Sequence, residues 1–127
     1  MMTPEEFLSS YAEKFNARDI SSLIRLYETN ACFVSQPGQV VNGLENIRRS
    51  LQSFIDMNGN LETKVNGVIQ ASGIAPVSSE WSFNGTGPDG KLVSIAGKAI
   101  DVLRRHSDGT WRILIDNPWG TDLQMSV

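Results

Sequence analysis

The sequence predicts an α+β fold in which three N-terminal helices pack on a strongly curved antiparallel sheet, forming a cone that encloses a pocket. Two observations lead to this prediction. Apolar residues recur at helical spacing in the first half of the chain and alternate with polar residues in the second half. Helices followed by a run of long strands are typical of α+β proteins. Because 127 residues is the length of one domain, we expect a single unit over residues 1–127.

The first predicted helix begins at a strong start signal. Thr3-Pro4-Glu5-Glu6 combines an N-cap residue, a proline at the first helical position and a glutamate three residues after the cap. An apolar face follows at helical spacing: Phe7, Leu8, Tyr11, Ala12 and Phe15. Asp19 is expected to cap a second, shorter helix. The predicted inner face of that helix is Ile20, Leu23, Ile24 and Tyr27.

Two short strands and a third helix are expected next. Ala31–Ser35 is a strand candidate, and Val40-Val41 adds a second, shorter one. Asn42, with Glu45 three residues later, predicts the cap of a third helix. The inward face of this helix is Ile47, Leu51, Phe54 and Ile55. Asn58-Gly59-Asn60 ends the helix, and its glycine is predicted to supply the left-handed conformation.

The second half of the chain predicts four strands, at residues 61–71, 74–84, 91–105 and 111–117, joined by turns rich in Gly, Ser and Asp. The glycines within 85–90 have the spacing of a dinucleotide-binding fingerprint. A loop between antiparallel strands, however, lacks the following helix that such a site requires. We therefore expect a hairpin loop there and no nucleotide cofactor.

Composition excludes several classes of function. The formal net charge is −3 and the pI is near 5.0, so the chain has no basic excess for binding nucleic acid. The apolar runs are far shorter than the roughly 20 residues of a membrane span. One cysteine, Cys32, cannot form an internal disulfide, and the N-terminus is acidic rather than leader-like, so we expect a cytoplasmic protein. One His and one Cys without ligand spacing predict no metal site, and nothing predicts any other cofactor.

Several segments together resemble a known superfamily: Tyr11–Asp19 with Leu23–Tyr27, then Val41–Ile47, then Asp108–Ile113. They are similar to the nuclear-transport-factor-2-like superfamily, which includes ketosteroid isomerases, SnoaL-like polyketide cyclases and limonene epoxide hydrolase. The resemblance covers nearly the whole chain and implies the cone fold. It implies no single activity, because this fold hosts enzymes, binding modules and assembly domains.

The resemblance also implies candidate catalytic residues. Similarity to ketosteroid isomerase implies two oxyanion-hole donors: Tyr11 on the first helix, and Asp101, eight residues before the turn glycine Gly109. The general base of that family falls at Ser35, which cannot move a proton near neutral pH without its own activating base. Similarity to the cyclases and the epoxide hydrolase implies a last-strand aspartate, Asp116, seven residues after Gly109. The Arg-x-Asp motif of the epoxide hydrolase is absent from the sequence.

Whether Asp101 and Asp116 converge depends on the turn between the last two strands. A three-residue loop pairs His106 with Thr110 and points the two carboxylates to opposite faces. A four-residue loop pairs Arg105 with Thr110 and places both carboxylates on one face. We prefer the four-residue loop because it gathers an apolar outer face suited to a homodimer through the sheet. That face would be Ile100, Val102, Trp111, Ile113 and Ile115.

Each candidate also has a purely structural interpretation. Tyr11 could be an ordinary core residue with a satisfied hydroxyl group. Asp101 could form an ion pair with a nearby arginine: Arg104, Arg105 or Arg112. Asp116 could cap the turn that follows it or pair with Lys98. The other residues expected to line the pocket are Phe15, Ser35, Phe54, Trp81, Phe83, Leu103 and Leu114.

Two functional hypotheses remain open from the sequence. The first is a cofactor-independent enzyme of the isomerase or cyclase type, acting on an apolar carbonyl compound. Asp116 would be its base, with Tyr11 and Asp101 as oxyanion donors. The second is a non-catalytic module that binds a hydrophobic small molecule or serves for dimerisation. Ser35 at the base position favours the second hypothesis, and the match at Tyr11 and Asp101 favours the first.

Overall fold

The computed structural model describes residues 2–122 and confirms the α+β class. Its elements in chain order are α1 (Pro4–Asn16), α2 (Ile20–Ile24), β1 (Tyr27–Gln36), β2 (Gln39–Asn42), α3 (Leu44–Ile55), β3 (Asn60–Val68), β4 (Ile74–Thr86), β5 (Leu92–Arg105) and β6 (Trp111–Asp116). The helices pack on one face of a curved six-stranded sheet. No helix within 2–122 is long and apolar enough to cross a membrane.

The sheet is mixed, so the predicted antiparallel arrangement holds for every neighbouring pair except β1 and β6. The strand order is β2-β1-β6-β5-β4-β3, and β1 pairs with β6 in parallel while the other neighbours are antiparallel. The hairpins joining β3 to β6 alternate the strand direction. The long connection through α3 then lets β1 lie beside β6 in the same direction. The sheet does not close, so β2 and β3 are its edges.

The helix caps follow the sequence signals in α1 and α2 but not in α3. Thr3 and Glu6 form the predicted capping box, with both hydrogen bonds at 3.1 Å. Asp19 accepts from the backbone of Ser22 at 3.1 Å and caps α2. The predicted cap of α3 was wrong by one residue, because Asn42 ends β2 and the helix begins after Gly43, at a φ of 83°.

The second helix is shorter than its apolar spacing predicted. It ends at Ile24, and Tyr27 is the first residue of β1 rather than part of a helix face. The backbone explains the difference, since the carbonyl of Leu26 accepts a hydrogen bond from Ile113 N on β6 at 2.8 Å. This pairing holds the chain in the sheet, and tertiary contact overrides local helical spacing.

The turn between β5 and β6 takes the three-residue form, so the preferred four-residue loop was wrong. His106 N donates to Thr110 O at 2.8 Å, and Leu103 pairs with Ile113. One step further the register shifts, and Val102 pairs with Ile115. The residue between these two partners of β6, Leu114, is therefore the extra residue of a β-bulge.

The bulge reverses the expected consequence of the short turn. It supplies the one-residue shift that places Asp101 and Asp116 on the concave face together, where both are buried. The predicted composition of the outer face was wrong for two residues. Trp111 and Ile113 lie within the core at 6% and 2% exposure. The convex face keeps the other three predicted residues: Ile100, Val102 and Ile115.

Candidate active site

A cavity of about 110 Å³ lies between the helices and the concave face of the sheet. Its wall is mostly apolar and aromatic. Of the residues expected to line it, those on the wall are Phe15, Ser35, Phe54, Trp81 and Phe83. Leu103 and Leu114, also expected there, are not on this wall. Leu103 is fully buried in the core near the β5–β6 turn, and Leu114 is the bulged residue.

The three candidate catalytic residues come together on the cavity wall, and Tyr27 links them. The hydroxyl groups of Tyr11 and Tyr27 lie 2.8 Å apart, and Tyr27 Oη donates to Asp116 Oδ2 at 2.5 Å. The carboxyl groups of Asp116 and Asp101 are close enough for a hydrogen bond between them when one of them is protonated. Because the single hydroxyl proton of Tyr27 is directed to Asp116, Tyr11 is the donor to Tyr27. The four side chains form one hydrogen-bonded chain.

The two carboxyl groups differ in their affinity for a proton. Burial and the neighbouring charge of Asp116 raise the pKa of Asp101 well above its ordinary value. Burial also raises the pKa of Asp116, but hydrogen bonds from Tyr27 and Asp101 oppose this effect. The pair therefore favours a state with one proton between the two carboxyl groups, with Asp101 as the protonated member and Asp116 as the carboxylate.

The surroundings keep both tyrosines neutral and hold Asp101 in place. Burial and the charge of Asp116 raise the pKa values of Tyr11 and Tyr27 well above the ordinary value for tyrosine. Asp101 Oδ1 accepts a hydrogen bond from Asn117 N at 2.8 Å. Asn117 directly follows β6, so the backbone that carries Asp116 also positions its partner carboxyl group.

The ion pairs considered for the two aspartates are not formed among the described residues. Over 2–122, neither carboxyl group lies within ion-pair distance of a basic side chain. The three candidate arginines are engaged elsewhere: Arg104 pairs with Glu28 at 2.9 Å, Arg105 lies over the ring of Trp111, and Arg112 is 4.0 Å from Asp108. A carboxylate pair buried without a cation is costly unless a proton is retained.

Three other residues considered from the sequence, Ser35, Cys32 and His106, lie outside this hydrogen-bonded chain. Ser35 lines the cavity, and its hydroxyl group is 3.5 Å from the carbonyl of Gln39. Burial and the charge of Asp116 raise the pKa of the Cys32 thiol, which does not favour a reactive thiolate. His106 lies in the turn, 3.7 Å from Glu28. The part of the chain that the structure covers holds no cluster of three potential metal ligands.

Sequence reasoning missed Tyr27 and Trp119 as site residues. Tyr27 has the spacing of a helix face, so periodicity assigned it to the wrong element. Trp119 was expected only to lie beyond the last strand, yet its ring lies on the cavity wall. No local pattern marks either residue, because each reaches the site through a tertiary contact.

A family profile matches the chain directly. The profile of the SnoaL-like domain matches residues 8–113, which include Tyr11, Tyr27 and Asp101. The chain belongs to the SnoaL-like domain family. No curated protein matches this SnoaL-like chain by sequence.

Solved structures agree with this SnoaL-like fold. A ketosteroid isomerase-like protein from Erwinia carotovora atroseptica aligns with a TM-score of 0.76 at 19% identity, covering 88% of each chain. A conserved protein from Planctomyces limnophilus aligns with a TM-score of 0.78 at 16% identity, covering 87% of this chain and 88% of that one. An NTF2-like protein with a cystatin-like fold from Novosphingobium aromaticivorans aligns with a TM-score of 0.73 at 14% identity, covering 93% of this chain and 79% of that one. At such identities these similarities establish the fold alone.

Proposed function

We propose that this SnoaL-like protein is a cofactor-independent acid–base enzyme that acts on an apolar carbonyl compound. The observation that carries the proposal is the buried Asp101–Asp116 pair. It lies on an aromatic cavity wall, its two carboxyl groups differ in their affinity for a proton, and it has no basic partner among residues 2–122. Paired carboxyl groups with separated proton affinities in a cavity are a common arrangement for proton transfer.

Asp116 is the general base in this proposal. Its carboxylate faces the cavity, and burial raises its pKa from the ordinary value, so it is a stronger base than an exposed aspartate. An apolar wall suits a substrate whose reacting carbon lies next to a carbonyl group. Removal of a proton from that carbon forms an enolate, and the negative charge moves from Asp116 to the substrate oxygen.

Tyr11 and Asp101 stabilise that oxygen. Before the substrate proton is transferred, the donors Tyr27 and Asp101 are directed at the charged Asp116. Once Asp116 has accepted the substrate proton, it attracts these donors less strongly. The hydrogen bonds of Asp101 and Tyr11 can then shift to the enolate, where charge has developed. Interactions that strengthen only as the charge moves lower the barrier rather than the ground state.

The comparison with the ketosteroid isomerase-like protein supports this class of reaction. Ser35 marks a difference in the position of the base. Ser35 stands where the isomerases have their base, so the base here would be on the last strand instead. A reducing, cytoplasmic compartment is part of the same proposal, because the chain carries one unpaired cysteine, Cys32.

Ser35 is also the observation that favours a second candidate function. Without a carboxylate at this position, the cavity could serve only to bind an apolar molecule with one oxygen, using Tyr11 and Asp101 as donors. A binding module would retain affinity for such a molecule and would not exchange its carbon-bound protons. Catalysis of exchange therefore separates the two functions.

The test has two measurements. NMR in D₂O monitors deuterium exchange at the carbon next to the carbonyl group of a cyclic enone. Binding of 2-naphthol, an oxyanion analogue, is measured separately. The wild-type chain is expected to accelerate exchange above buffer. Asp116→Asn should lower the exchange rate at least about 100-fold, since removing a general base typically lowers a rate by 10²–10⁴-fold. Tyr11→Phe and Asp101→Asn should weaken naphthol binding.

Asp56→Asn is the matched control, because it makes the same change at an exposed aspartate just after α3. It should leave both exchange and binding unchanged. Naphthol binding without exchange would favour the binding module. The absence of both, or equal naphthol affinity in all variants, would overturn the proposed site.

A further inference from the structure

The turn after β6 places a second aromatic wall beside the two aspartates. Asn117 holds this turn, because its side chain donates to Gly120 O at 2.8 Å and its carbonyl accepts from Ile100 N at 2.9 Å. The backbone of the same residue donates to Asp101. The turn, which carries Trp119, is therefore fixed to the strand that carries the protonated carboxyl group.

Two tryptophan rings meet at this wall, but only one of their N–H groups has a protein partner. Trp81 and Trp119 pack edge to face, with ring centroids 5.5 Å apart. Trp81 Nε1 donates to Pro118 O at 2.7 Å. Trp119 Nε1 is buried, and it makes no hydrogen bond to any acceptor in residues 2–122. Because nearly all buried donors in native proteins are paired, this exception requires an explanation.

The packing argues against a purely structural role for that N–H group. The ring contact with Trp81 uses the face and edge of the indole, which phenylalanine could also provide. Trp119 and Asp101 both line the cavity, and the rest of its wall is largely apolar. Trp119 lines the cavity and its N–H group has no partner, which favours a ligand with an acceptor atom beside that ring over a hydrocarbon.

We propose that Trp119 is a specificity-determining residue whose indole N–H donates to a second oxygen of the ligand. The inference rests on the proposed function, in which the first oxygen of the ligand lies at Tyr11 and Asp101. It narrows the ligand class to apolar molecules with two oxygen functions, the second being a carbonyl, ether or hydroxyl oxygen. Two anchored oxygens would fix which carbon faces Asp116.

The test compares methoxy-2-naphthols with ethyl-2-naphthols of the same substitution position. The two probes have similar shape, but only the methoxy oxygen can accept a hydrogen bond. For at least one substitution position, the wild-type chain should bind the methoxy probe about three- to tenfold more tightly. Trp119→Phe should remove this preference. In ¹⁵N-labelled protein, the Trp119 indole N–H resonance should move downfield with the methoxy probe and not with the ethyl probe.

Trp81→Phe is the matched control, because the N–H of Trp81 is already bonded to Pro118. It should leave the methoxy-to-ethyl ratio unchanged even if it weakens both probes. Probes that bind in a Tyr11-dependent manner without a methoxy preference would overturn the role of Trp119 and leave the proposed function standing. Failure of every naphthol to bind would overturn both. A ratio that survives in Trp119→Phe would also overturn this inference.

Discussion

At the scale of single residues, the proton between Asp101 and Asp116 dominates the chemistry of the site. Both carboxyl groups are buried, and each has a hydrogen-bond donor besides the other: Asn117 N for Asp101 and Tyr27 Oη for Asp116. This arrangement stabilises one negative charge over two carboxyl groups and disfavours a second one. The same arrangement makes the stability of the chain depend on pH in a definite direction.

Asp101→Asn is expected to remove part of the dependence of stability on pH. The folded pKa of Asp101 lies well above its ordinary value of 3.8, so above about pH 4 the folded chain holds a proton that the unfolded chain has released. The free energy of unfolding of the wild type therefore falls as the pH rises from about 4 through the folded pKa. Asparagine keeps a donor and an acceptor without titrating. Urea unfolding over a pH series should show the stability of the variant, relative to wild type, increasing with pH.

Asp108→Asn provides a control of opposite sign. Hydrogen bonds from Thr110 lower the pKa of the exposed Asp108, so its contribution is present above the ordinary value and is lost as the pH falls. The stability of this variant relative to wild type should therefore be lowest at neutral pH and recover in acid. If Asp101→Asn and wild type show parallel profiles, the shared proton is excluded.

At the scale of elements, the irregular positions build the site. The bulge at Leu114 turns Asp116 toward the cavity, although the three-residue turn alone would direct it outward. The link from α3 to β3 is a second such place. Asn58 adopts the left-handed conformation there, at a φ of 50°, so the assignment of this conformation to Gly59 was wrong. Gly59 is required for a different reason, the close approach of β4.

Gly59→Ala is expected to destabilise the chain by about 1–3 kcal/mol, as overpacking typically does. Its added methyl group would overlap Asn84 O and lie 2.5 Å from the ring of Phe83, which lines the cavity. Gly67→Ala is the matched control, since a methyl group there meets no atom within 4 Å, and it should change stability by less than about 0.5 kcal/mol. Urea unfolding measures both. Equal effects in the two variants would contradict this account of Gly59.

At the scale of the whole molecule, the convex face of the sheet carries three apolar residues on β5 and β6. Ile100 is 39% exposed there, beside the half-buried Val102 and Ile115. Trp111 and Ile113 do not contribute to this face, so it is smaller than the one expected from the sequence. We propose that two copies of the chain form a homodimer through these three residues of the convex face.

Ile100→Asp is expected to convert the dimer into a monomer, because it would bury two charges in an apolar contact. Sedimentation velocity at micromolar concentration measures the change. Leu92→Asp, at an 88% exposed position at the other end of β5, should leave the mass unchanged. A wild-type chain that sediments as a monomer would refute the dimer. A dimer that persists in Ile100→Asp would refute this interface.

Much of the fold could be predicted because its signals are local. The capping box at Thr3, the cap at Asp19 and the change from helical to alternating spacing each depend on residues within a few positions of one another. These signals identified the α+β class, the order of elements and the strand that carries Asp101. Tyr11, Asp101 and Asp116 were identified as candidates from the resemblance to relatives of this fold.

The sequence by itself determined the elements, the class and the candidate residues. Only the tertiary structure decided that β1 runs parallel to β6, that Tyr27 belongs to a strand, and that a bulge brings Asp116 to Asp101. The physical reason is the same in each case. A strand has a period of two, so a shift of one residue reverses its faces, and that shift depends on long-range backbone pairing rather than on local composition.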